Sequence, residues 1–595
     1  MASIVCEEDL SDEFDVFGIE LENSDCIDKL KELCVTYRLD ASDIATEWVA
    51  FSQSKKIQSL CAGSLEMFER ERLSKKTPKT PKTSTSKNSS VIYDLNTIDQ
   101  GVDDDEAVAL YESYSTLTPK AKTTGGQKRQ LTPENVPLKR FTGSSRSPVI
   151  PFSPASFSPA GQNTPSQKYA SRTNAGDVVC SFGGSDNAVW TGQGQGCSIH
   201  SYDSSADLPE RFKYMFQKLT DKAFVLNDLI EDMSSELKQT HNIVDLAHVA
   251  LPTQEPVCVV GRICCDSNGK LNSKSVLLEG SRETSAGKTI PLDLSQLPSY
   301  SLFPGQIVAV EGVNSTGNMF VASKIFENVC VPPPATSVKT ENVPLSLVVA
   351  AGPFTTSDTL TYDPLADFLK YIHRDKPDLC ILLGPFVDIK NEEIEKCSLT
   401  CSYTDLFQSR LQQIVSITER INCHLVVVPS QRDIHHDSVY PQPPFNMPNL
   451  QAKNVQFVSD PCTLVINNTV FSITSTDILF HLGAEEVSFP PGSADRLGRL
   501  TNHLLMQHSY YPLYPPSEEV CVDFDHFEQA GRIPVKPHVL IVPSDLRYFI
   551  KDIKGCCCVN PGRLAKGQVG GTYCRLVITP SGSQSPNIAA QVIRV

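Results

Sequence analysis

The C-terminal part of the chain alternates wholly apolar runs with amphipathic stretches. Runs rich in branched side chains lie at 345–351, 379–383 and 424–428. Two stretches with apolar residues three and four apart are predicted to be helices, at 365–373 and 406–421. Later strands are predicted at 471–474, 504–507, 539–542 and 573–578. Because strands that are apolar on both faces are typical of buried sheets, the pattern predicts an α/β domain with a mixed sheet over 336–595.

Shorter β segments precede this domain. They lie at 257–263, 275–279, 306–312 and 320–325, with turn clusters such as 267–270 between them. Short strands at this spacing predict a small closed barrel of the oligonucleotide-binding (OB) type. The stretch 208–237 has helical periodicity and is predicted to lead into the barrel, so the whole domain spans 206–335.

The first 205 residues divide into an apolar-patterned part and a polar part. Over 25–73 two helical stripes occur, the first carried by Ile27, Leu30, Leu33, Cys34 and Tyr37, which predicts a small helical docking domain at 1–74. Residues 75–205 are rich in Ser, Thr, Pro, Gly and Asn, and such a composition buries too little apolar surface to offset the entropy of ordering. We therefore expect 75–205 to be a disordered linker.

The linker carries eight Ser-Pro or Thr-Pro pairs, at Thr77, Thr80, Thr118, Thr132, Ser147, Ser153, Ser158 and Thr164. Three continue as Thr-Pro-Lys, which resembles the consensus of proline-directed cell-cycle kinases. Between 107 and 175 the linker has nine Lys and Arg against two Glu, and the pairs Lys128-Arg129 and Lys139-Arg140 fit either a loose nuclear import signal or a solvated linker. The kinase sites beside them favour a regulated nuclear phosphoprotein.

The overall charge disfavours a protein that coats DNA by itself. The formal net charge is −16 and the pI is near 5.3, whereas phosphate binding depends on a cationic surface. No apolar run approaches the length that spans a bilayer, and residues 1–12 are acidic, unlike a secretory signal. The twenty cysteines are scattered and partly within apolar runs, so we interpret them as reduced. An intracellular protein that binds other proteins is the expectation.

Three loops that follow the apolar runs resemble, in motif order, those of calcineurin-like phosphoesterases. Such enzymes hold two metals with Asp-x-His, Gly-Asp-x-x-Asp, Gly-Asn-His-Asp and Gly-His-x-His, because two metals generate hydroxide and stabilise the leaving oxygen. The corresponding positions here are Gly352, Pro353, Phe354, Pro385, Asp388, Gln431, Arg432 and Asp433. The first loop has no ligand, Pro385 stands where the bridging carboxylate belongs, and Arg432 replaces a histidine. The sequence therefore predicts no metal, no cofactor and no catalysis.

A few residues near these loops are candidates for a rebuilt metal site: His435, His436, Asp437, His481 and His508. Adjacent histidines point in different directions on most backbones, which argues against a metal shared by His435 and His436. Asp388 and Asp433 are expected to accept hydrogen bonds from loop amides instead. No serine or cysteine lies in a recognisable nucleophile motif.

Six uncommon segments resemble the family of B (accessory) subunits of DNA polymerase alpha-primase; they are 265–272, 300–306, 352–358, 439–445, 509–516 and 559–564. The resemblance covers nearly the whole chain. It implies a multidomain α+β protein with an N-terminal helical docking domain, a phosphorylated tether, an OB-type barrel and an inactive calcineurin-like phosphodiesterase domain packed against the barrel.

The resemblance also implies partners. The barrel and phosphodiesterase domains would together bind the zinc-bearing C-terminal domain of the polymerase catalytic subunit, which recruits primase, for RNA–DNA primer synthesis at initiation of replication in the nucleus. Other replication factors would bind the N-terminal domain, and cell-cycle kinases the tether. DNA would be contacted mainly indirectly, and no membrane is expected.

Three alternatives stay open. The run Tyr510, Tyr511, Leu513 and Tyr514 is either a set of interface anchors or a loop over the chain's own core. The C-terminal domain is alternatively a divergent metal-dependent phosphoesterase using Asp388 and Asp433. The barrel is alternatively a binder of single-stranded nucleic acid, although six basic residues against six acidic ones between 256 and 327 and few aromatics favour a structural barrel.

Overall fold

The computed structural model describes residues 24–37 and nine separate positions between 10 and 68. It then describes 166–595 except 186–187, 193, 195, 210–212, 268, 328, 335–342, 449, 451, 493–494 and 581–584. The chain divides into two compact units, Met1–Gln100 and Gly101–Val595. All eight phosphorylation candidates, the basic pairs and the linker up to residue 165 lie outside the described residues. None of the described helices is long and apolar enough to cross a membrane.

The first unit contains helix α1 (Ser24–Tyr37). Its predicted stripe is confirmed, because Ile27, Leu30, Leu33 and Cys34 are all buried. Leu30, Leu33 and Cys34 share a hydrophobic cluster with Trp48, whose ring meets that of Phe68 edge to face with ring centroids 5.3 Å apart. The cluster gives this part of the chain a core of its own.

The expected disorder is wrong for the end of the linker. Residues 166–201, hereafter the strap, contain helix α2 (Gln167–Ala170) and strands β1 (Val178–Phe182) and β2 (Ile199–Ser201). Both strands pair antiparallel with strands from the C-terminal domain. Composition missed the strap because hydrogen bonds to existing sheet edges, and not a core of its own, hold it in place.

The second domain begins with helix α3 (Leu219–His241), eleven residues later than the predicted start at 208. Met215 has a left-handed backbone, with φ 59°, which interrupts a helix. The apolar side chains of Phe216 and Leu219, which produced the periodic pattern, are exposed. The prediction of helix over 208–218 is therefore wrong for the described residues of that stretch.

A closed five-stranded barrel follows, with strand order β3-β4-β5-β8-β7. Its region contains β3 (Val257–Cys265), β4 (Val276–Glu279), α4 (Arg282–Ser285), β5 (Thr289–Asp293), β6 (Tyr300–Leu302), β7 (Ile307–Val313) and β8 (Phe320–Phe326). The predicted barrel is confirmed. Its interior is apolar, with Val259, Leu278, Val310 and Phe320 almost fully enclosed. Strands β5 and β6 were missed because each is short and half polar.

The C-terminal domain contains two sheets packed face to face. Its helices are α5 (Asp363–Asp375), α6 (Glu392–Glu395), α7 (Tyr403–Arg420), α8 (Ile478–Glu485), α9 (Arg496–Met506) and α10 (Phe524–Ala530). Its strands are β9 (Leu345–Ala351), β10 (Leu379–Leu383), β11 (His424–Val428), β12 (Val455–Phe457), β13 (Cys462–Ile466), β14 (Thr469–Ile473), β15 (Val487–Phe489), β16 (Val539–Ile541), β17 (Phe549–Ile553), β18 (Cys556–Asn560), β19 (Ala565–Lys566), β20 (Val569–Gly570), β21 (Thr572–Thr579) and β22 (Asn587–Arg594).

One sheet has the order β1-β22-β21-β9-β10-β11-β12, and the other has the order β17-β18-β16-β14-β13-β2. Both sheets are mixed, as predicted, and the three apolar strands β9, β10 and β11 have the predicted bounds. Apolar residues from both sheets, such as Leu347 and Phe471, form the cluster between them.

The strand predicted at 504–507 is wrong. Leu504 and Leu505 belong to the end of helix α9, and both are buried. The apolar run is too short to distinguish a strand from a buried helix turn. Leu497, Leu500 and Leu504, spaced three and four apart, show the helical period over the longer window.

Candidate functional site

The degenerate loops lie together at one end of the two sheets. Strands β9, β10 and β11 are parallel, and so are β14, β16 and β18. The two sets point the same way, because the Ser475 hydroxyl just after β14 donates to the carbonyl of Pro429 just after β11, at 2.6 Å. The loops that would carry metal ligands therefore do converge, and their side chains decide what the site does.

Aromatic rings occupy the first two loops. Phe354 and Phe386 stack with ring centroids 4.8 Å apart, and both are buried. The peptide bonds preceding Pro353 and Pro385 are cis. A side chain at Gly352 would overlap the carbonyl oxygen of Pro385. These two loops thus pack against each other, and none of these four side chains offers a metal ligand.

Asp433 is the structural centre of the third loop. Its Oδ1 accepts hydrogen bonds from the backbone amides of Phe386 at 2.5 Å and Val387 at 3.0 Å, and its Oδ2 accepts one from Ser430 at 3.1 Å. Burial raises its pKa to about 7, against the lowering effect of these three donors. The predicted use of Asp433 as an acceptor for loop amides is confirmed.

Arg432 fills the space between two acidic loops. Its Nε donates to Oδ1 of Asp388 at 3.1 Å and its Nη2 to Oδ2 at 2.5 Å, while Nη1 lies 3.9 Å from Asp545. Asp388 also accepts a hydrogen bond from the backbone amide of Lys390 at 3.1 Å, which confirms its predicted role as an acceptor for loop amides. Burial lowers the pKa of Arg432, but the carboxylates of Asp388 and Asp545 outweigh burial and raise it.

A second arginine extends the pattern. Arg563, which follows β18, donates from Nε to Asp545 at 3.0 Å and from Nη2 to Asp477 at 3.2 Å. Burial raises the pKa of Asp545, but Arg563 and Arg432 outweigh burial and lower it. Asp388, Arg432, Asp545, Arg563 and Asp477 therefore form an alternating series of three carboxylates and two guanidinium groups, hereafter the charge series.

The charge series does not fit a pair of catalytic metals. Each of its carboxylates is already paired with a guanidinium, which cannot be deprotonated in a protein. Within the described parts of the chain, no group of three or more His, Cys, Asp and Glu side chains is placed to hold a metal. The amide of Gln431 is enclosed, and neither of its polar atoms has a hydrogen-bond partner among the described residues.

The histidines and Asp437, which the sequence offers as candidates for a rebuilt metal site, make other contacts. His435 stacks on Phe445 with ring centroids 5.3 Å apart, and burial lowers its pKa to about 3. Nε2 of His436 lies 2.7 Å from the carbonyl oxygen of Pro443, and Asp437 accepts a hydrogen bond from the hydroxyl of Tyr214 at 2.9 Å. His481 lies 3.1 Å from the Tyr511 hydroxyl, and His508 lies 3.2 Å from Glu236. The structure does not bring these residues together around one point.

The aromatic run at 510–514 joins the C-terminal domain to the barrel. Tyr510, Tyr511 and Leu513 are buried in the chain's own core, and Tyr514 is half-buried. The backbone amide of Tyr514 donates to the carbonyl of Pro304 in the barrel at 3.0 Å. Of the two interpretations, burial supports the loop over the chain's own core for Tyr510, Tyr511 and Leu513, whereas Tyr514 stays partly exposed.

Three further contacts hold the barrel against the C-terminal domain. The side-chain amide of Gln507, just after α9, makes two hydrogen bonds to the backbone of Ile307. Its Oε1 accepts one from the Ile307 amide at 2.7 Å, and its Nε2 donates one to the Ile307 carbonyl at 3.0 Å. Strand β15 pairs antiparallel with β6. Next to that pair, the Glu486 carboxylate accepts hydrogen bonds from Nε of Arg499 and from the hydroxyl of Ser301, both at 2.6 Å. The barrel and the two sheets thus present one continuous surface.

The charge of Glu486 is stabilised in this position. Burial raises its pKa, but hydrogen bonds from His503, Arg499 and Ser301 outweigh burial and lower it to about 2. A buried carboxylate is favourable only when it is paired and hydrogen-bonded, as here. Glu486 therefore acts as an ionised link between helix α9 and the barrel.

Sequence reasoning missed Asp477 and Arg563 as members of the site. Each follows a strand at its carboxyl end, after β14 and β18. The signal in the sequence was that each residue follows an apolar run. The phosphoesterase motifs contain no arginine, so they gave no reason to select Arg563. Asp545 follows strand β16 in the same way.

Three segments of the chain match known protein families. Residues 347–551 match the family of the B subunits of DNA polymerases alpha and epsilon. Residues 223–328 match the OB domain of the DNA polymerase alpha B subunit, and residues 8–75 match the N-terminal domain of that same B subunit. The three matches follow the chain in the order helical unit, barrel and layered domain.

Individual relatives extend the match to the whole chain. The B subunit of DNA polymerase alpha from Mus musculus is 45% identical over 607 residues, covering 99% of this chain and 100% of that protein. The protein of the same name from Drosophila melanogaster is 29% identical over 647 residues, with 99% and 100% coverage. The one from Schizosaccharomyces pombe is 38% identical over 393 residues, covering 62% of this chain and 68% of that protein.

Proposed function

Because this chain belongs to the family of DNA polymerase alpha B subunits, whose members are accessory and not catalytic, we propose that it is the scaffold of the polymerase alpha-primase complex. In this proposal the barrel and the two-sheet domain hold the C-terminal domain of the catalytic subunit. The complex then makes RNA–DNA primers at initiation of replication. In this proposal the zinc is bound by the C-terminal domain of the catalytic subunit, and primase joins the complex through that domain.

The charge series is the observation that carries this proposal. In a phosphoesterase the same loop ends would hold metals, whereas here Arg432 and Arg563 neutralise the carboxylates internally. A charge network satisfied within the chain stabilises the loops and leaves no open coordination position for a substrate. A calcineurin-like ancestry of the two-sheet domain is consistent with this replacement of ligands.

The rigid connection to the barrel supports the same proposal. Gln507, Glu486 and the β6–β15 pair hold the barrel against the two sheets. A partner can therefore contact both domains without first ordering them, which lowers the entropic cost of binding. Phe320, in the barrel interior, and Phe303, at the junction with the C-terminal domain, are fully enclosed, so neither offers a ring for base stacking.

We propose the remaining roles from the sequence. Residues 1–74 form the docking domain for other replication factors. Residues 75–165 form a nuclear tether modified by cell-cycle kinases at its Ser-Pro and Thr-Pro sites. Phosphates at eight sites would each add about −1.5 to −2 charge, enough to reverse the basic character of the tether.

The test is to mix the full-length chain with the isolated C-terminal domain of the polymerase catalytic subunit and measure stoichiometry and affinity. We expect a one-to-one complex whose formation does not change when Mn²⁺ or Zn²⁺ is added to this chain beforehand. Phosphodiester hydrolysis is measured in parallel. Absence of a complex would refute the scaffold, and metal-dependent turnover abolished by Asp388→Asn would favour the phosphoesterase alternative.

A further inference from the structure

The strap crosses from one sheet to the other. Strand β1 pairs with β22 and forms the edge of the first sheet, with Phe182 opposite Ala590. Strand β2 pairs with β13 and forms the edge of the second sheet, with His200 opposite Val465. One short segment thus covers an edge strand in each of the two sheets.

Between β1 and β2 the strap follows the amino-terminal ends of the parallel strands, opposite the charge series. The Ser346 hydroxyl, in β9, donates to the carbonyl of Trp190 at 3.1 Å. The amide of Gly194 donates to Asp378, just before β10, at 2.9 Å. The guanidinium of Arg575 lies 4.3 Å from the Trp190 ring centroid. The strap is therefore docked along its route and not only at its two strands.

The beginning of the strap is anchored to helix α5 and to the C-terminus. The buried Tyr169 donates its hydroxyl to Asp367 at 2.9 Å. Arg172 pairs with the same carboxylate and donates from Nε to the carbonyl of Val595 at 2.9 Å. The guanidinium of Arg172 also lies 3.7 Å from the Tyr169 ring centroid. This anchor fixes the point at which the preceding chain joins the folded body.

Two glycines make the close docking possible. A side chain on Gly183, which has φ 58°, would overlap the carbonyl oxygen of Ile588 in β22. A side chain on Gly192 would overlap the carbonyl oxygen of Lys376. Gly184, in contrast, has no atom within 4 Å of the position where a side chain would begin. The strap thus contains two positions that need glycine and one adjacent position that does not.

The covered edges are the ones that have no other protection. Among the described residues, no further strand pairs with the outer sides of β12 and β17; β12 is three residues long, and β17 carries Lys551 and Asp552. Short length and charge are common protections against pairing with another chain. Strand β13 has no charged residue, and β22 has only Arg594 at its end. The edges that the strap itself creates are protected, since β2 has three residues and β1 pairs with a register shift.

We propose that the strap seals the β22 and β13 edges against edge-to-edge pairing with a second copy of this chain. Five apolar side chains of the strap pack, partly buried, against the cluster between the sheets, and its two strands pair with these edges through the backbone. With the strap released, β22 would present eight residues of largely uncharged strand. An identical strand on another copy can pair with such an edge antiparallel.

The test compares three full-length proteins: wild type, the double variant Gly183→Ala/Gly192→Ala, and the control Gly184→Ala. Hydrogen exchange is followed at the amides of β22 and β13, and mass in solution is followed by light scattering as concentration rises. We expect exchange at these edges to rise about tenfold or more in the double variant only, together with self-association. A synthetic peptide of residues 176–201, added in excess, should return the double variant to monomer.

The remaining outcomes would each overturn the proposal. Unchanged exchange in both the double glycine variant and Tyr169→Ala/Arg172→Ala would mean that the strap does not protect these edges. Faster exchange without self-association would mean that the strap stabilises the sheets but does not seal them. Self-association that the peptide leaves unchanged would place the contact elsewhere. A second variant tests the proposal if the double glycine variant fails to fold. Tyr169→Ala/Arg172→Ala releases the anchor but changes no residue of β22 or β13, and it should self-associate in the same way.

Discussion

Replacing Arg432 by methionine tests whether the guanidinium is what makes the buried carboxylates tolerable. Arg432→Met keeps most of the side-chain volume and leaves Asp388 with the Lys390 amide as its remaining hydrogen-bond donor. The Asp388 side chain is 7% exposed and that of Arg432 is 23% exposed. Removing one partner of a buried ion pair costs about 3–5 kcal/mol. Because water reaches the arginine, we expect about 2–3 kcal/mol here.

The partner substitution should cost less. Asp388→Asn leaves Arg432 partly exposed and still 3.9 Å from Asp545, so we expect about 1–2 kcal/mol. The double variant removes both charges and should be more stable than the sum of the single effects implies, by about 1–2 kcal/mol. The matched control is Lys396→Met, since its pair with Glu392 is 62% and 46% exposed. That control should change stability by about 0–0.5 kcal/mol.

Differential scanning calorimetry of the full-length proteins measures these effects. For the transition of the two-sheet domain we expect Arg432→Met to lower the Tm by on the order of 5 °C. If Arg432→Met unfolds at or above the wild-type temperature, the arginine does not compensate the carboxylates. If the double variant shows the simple sum of the two single effects, Arg432 and Asp388 are not coupled, and the account of the charge series is wrong.

Three further substitutions test neighbouring parts of the structure. Asp433→Asn should cost about 1–3 kcal/mol, because an amide nitrogen cannot accept the Ser430 N–H, and thermal unfolding beside the exposed control Glu395→Gln measures it. Glu486 has a pKa lowered from 4.5 to about 2, so the stability that it contributes is present above about pH 4.5 and is lost as pH falls toward 2. Calorimetry between pH 5 and pH 3 should therefore show a smaller decline in Tm for Glu486→Gln than for wild type. Gln507→Glu removes the donor to the Ile307 carbonyl but keeps an acceptor for its amide, so hydrogen exchange should rise at the start of β7 while the core of β10 is unchanged.

The central strands of the two-sheet domain were predictable because their environment is uniform. Every residue of β9 and β10 is buried, so the apolar run and the strand have the same bounds. Helix α9 was not recognised, because the run of three apolar residues at its end, Leu504–Met506, carries no period. The strap was not recognised at all. Its stability comes from backbone pairing with strands far along the chain, as where Val178 pairs with Ile593, and composition does not record such partners.

The contacts of the loops after β9, β10 and β11 were predictable only in part. The sequence shows that these loops lack the ligands of a two-metal site, and it correctly indicates that Asp388 and Asp433 bind loop amides. It does not show which cations pair with the carboxylates, because Arg432, Asp545 and Arg563 lie on three separate loops and meet only when both sheets are assembled. Pairing with arginine has a physical consequence. A metal leaves and returns, whereas a guanidinium is permanently charged and permanently attached.

Pairing of the loop carboxylates with arginines therefore determines how the loops can be used. Metal ligands must stay accessible to a substrate, which forces a cleft to remain open above them. Carboxylates paired within the chain need no such access, so the loops can be packed with rings such as Phe354 and Phe386 and can hold a fixed shape. The same reasoning applies at the junction with the barrel, where Glu486 is ionised yet almost fully buried. Both clusters place charge where it fixes the relative position of loops, and a fixed surface across two domains is what an accessory subunit needs in order to hold a partner.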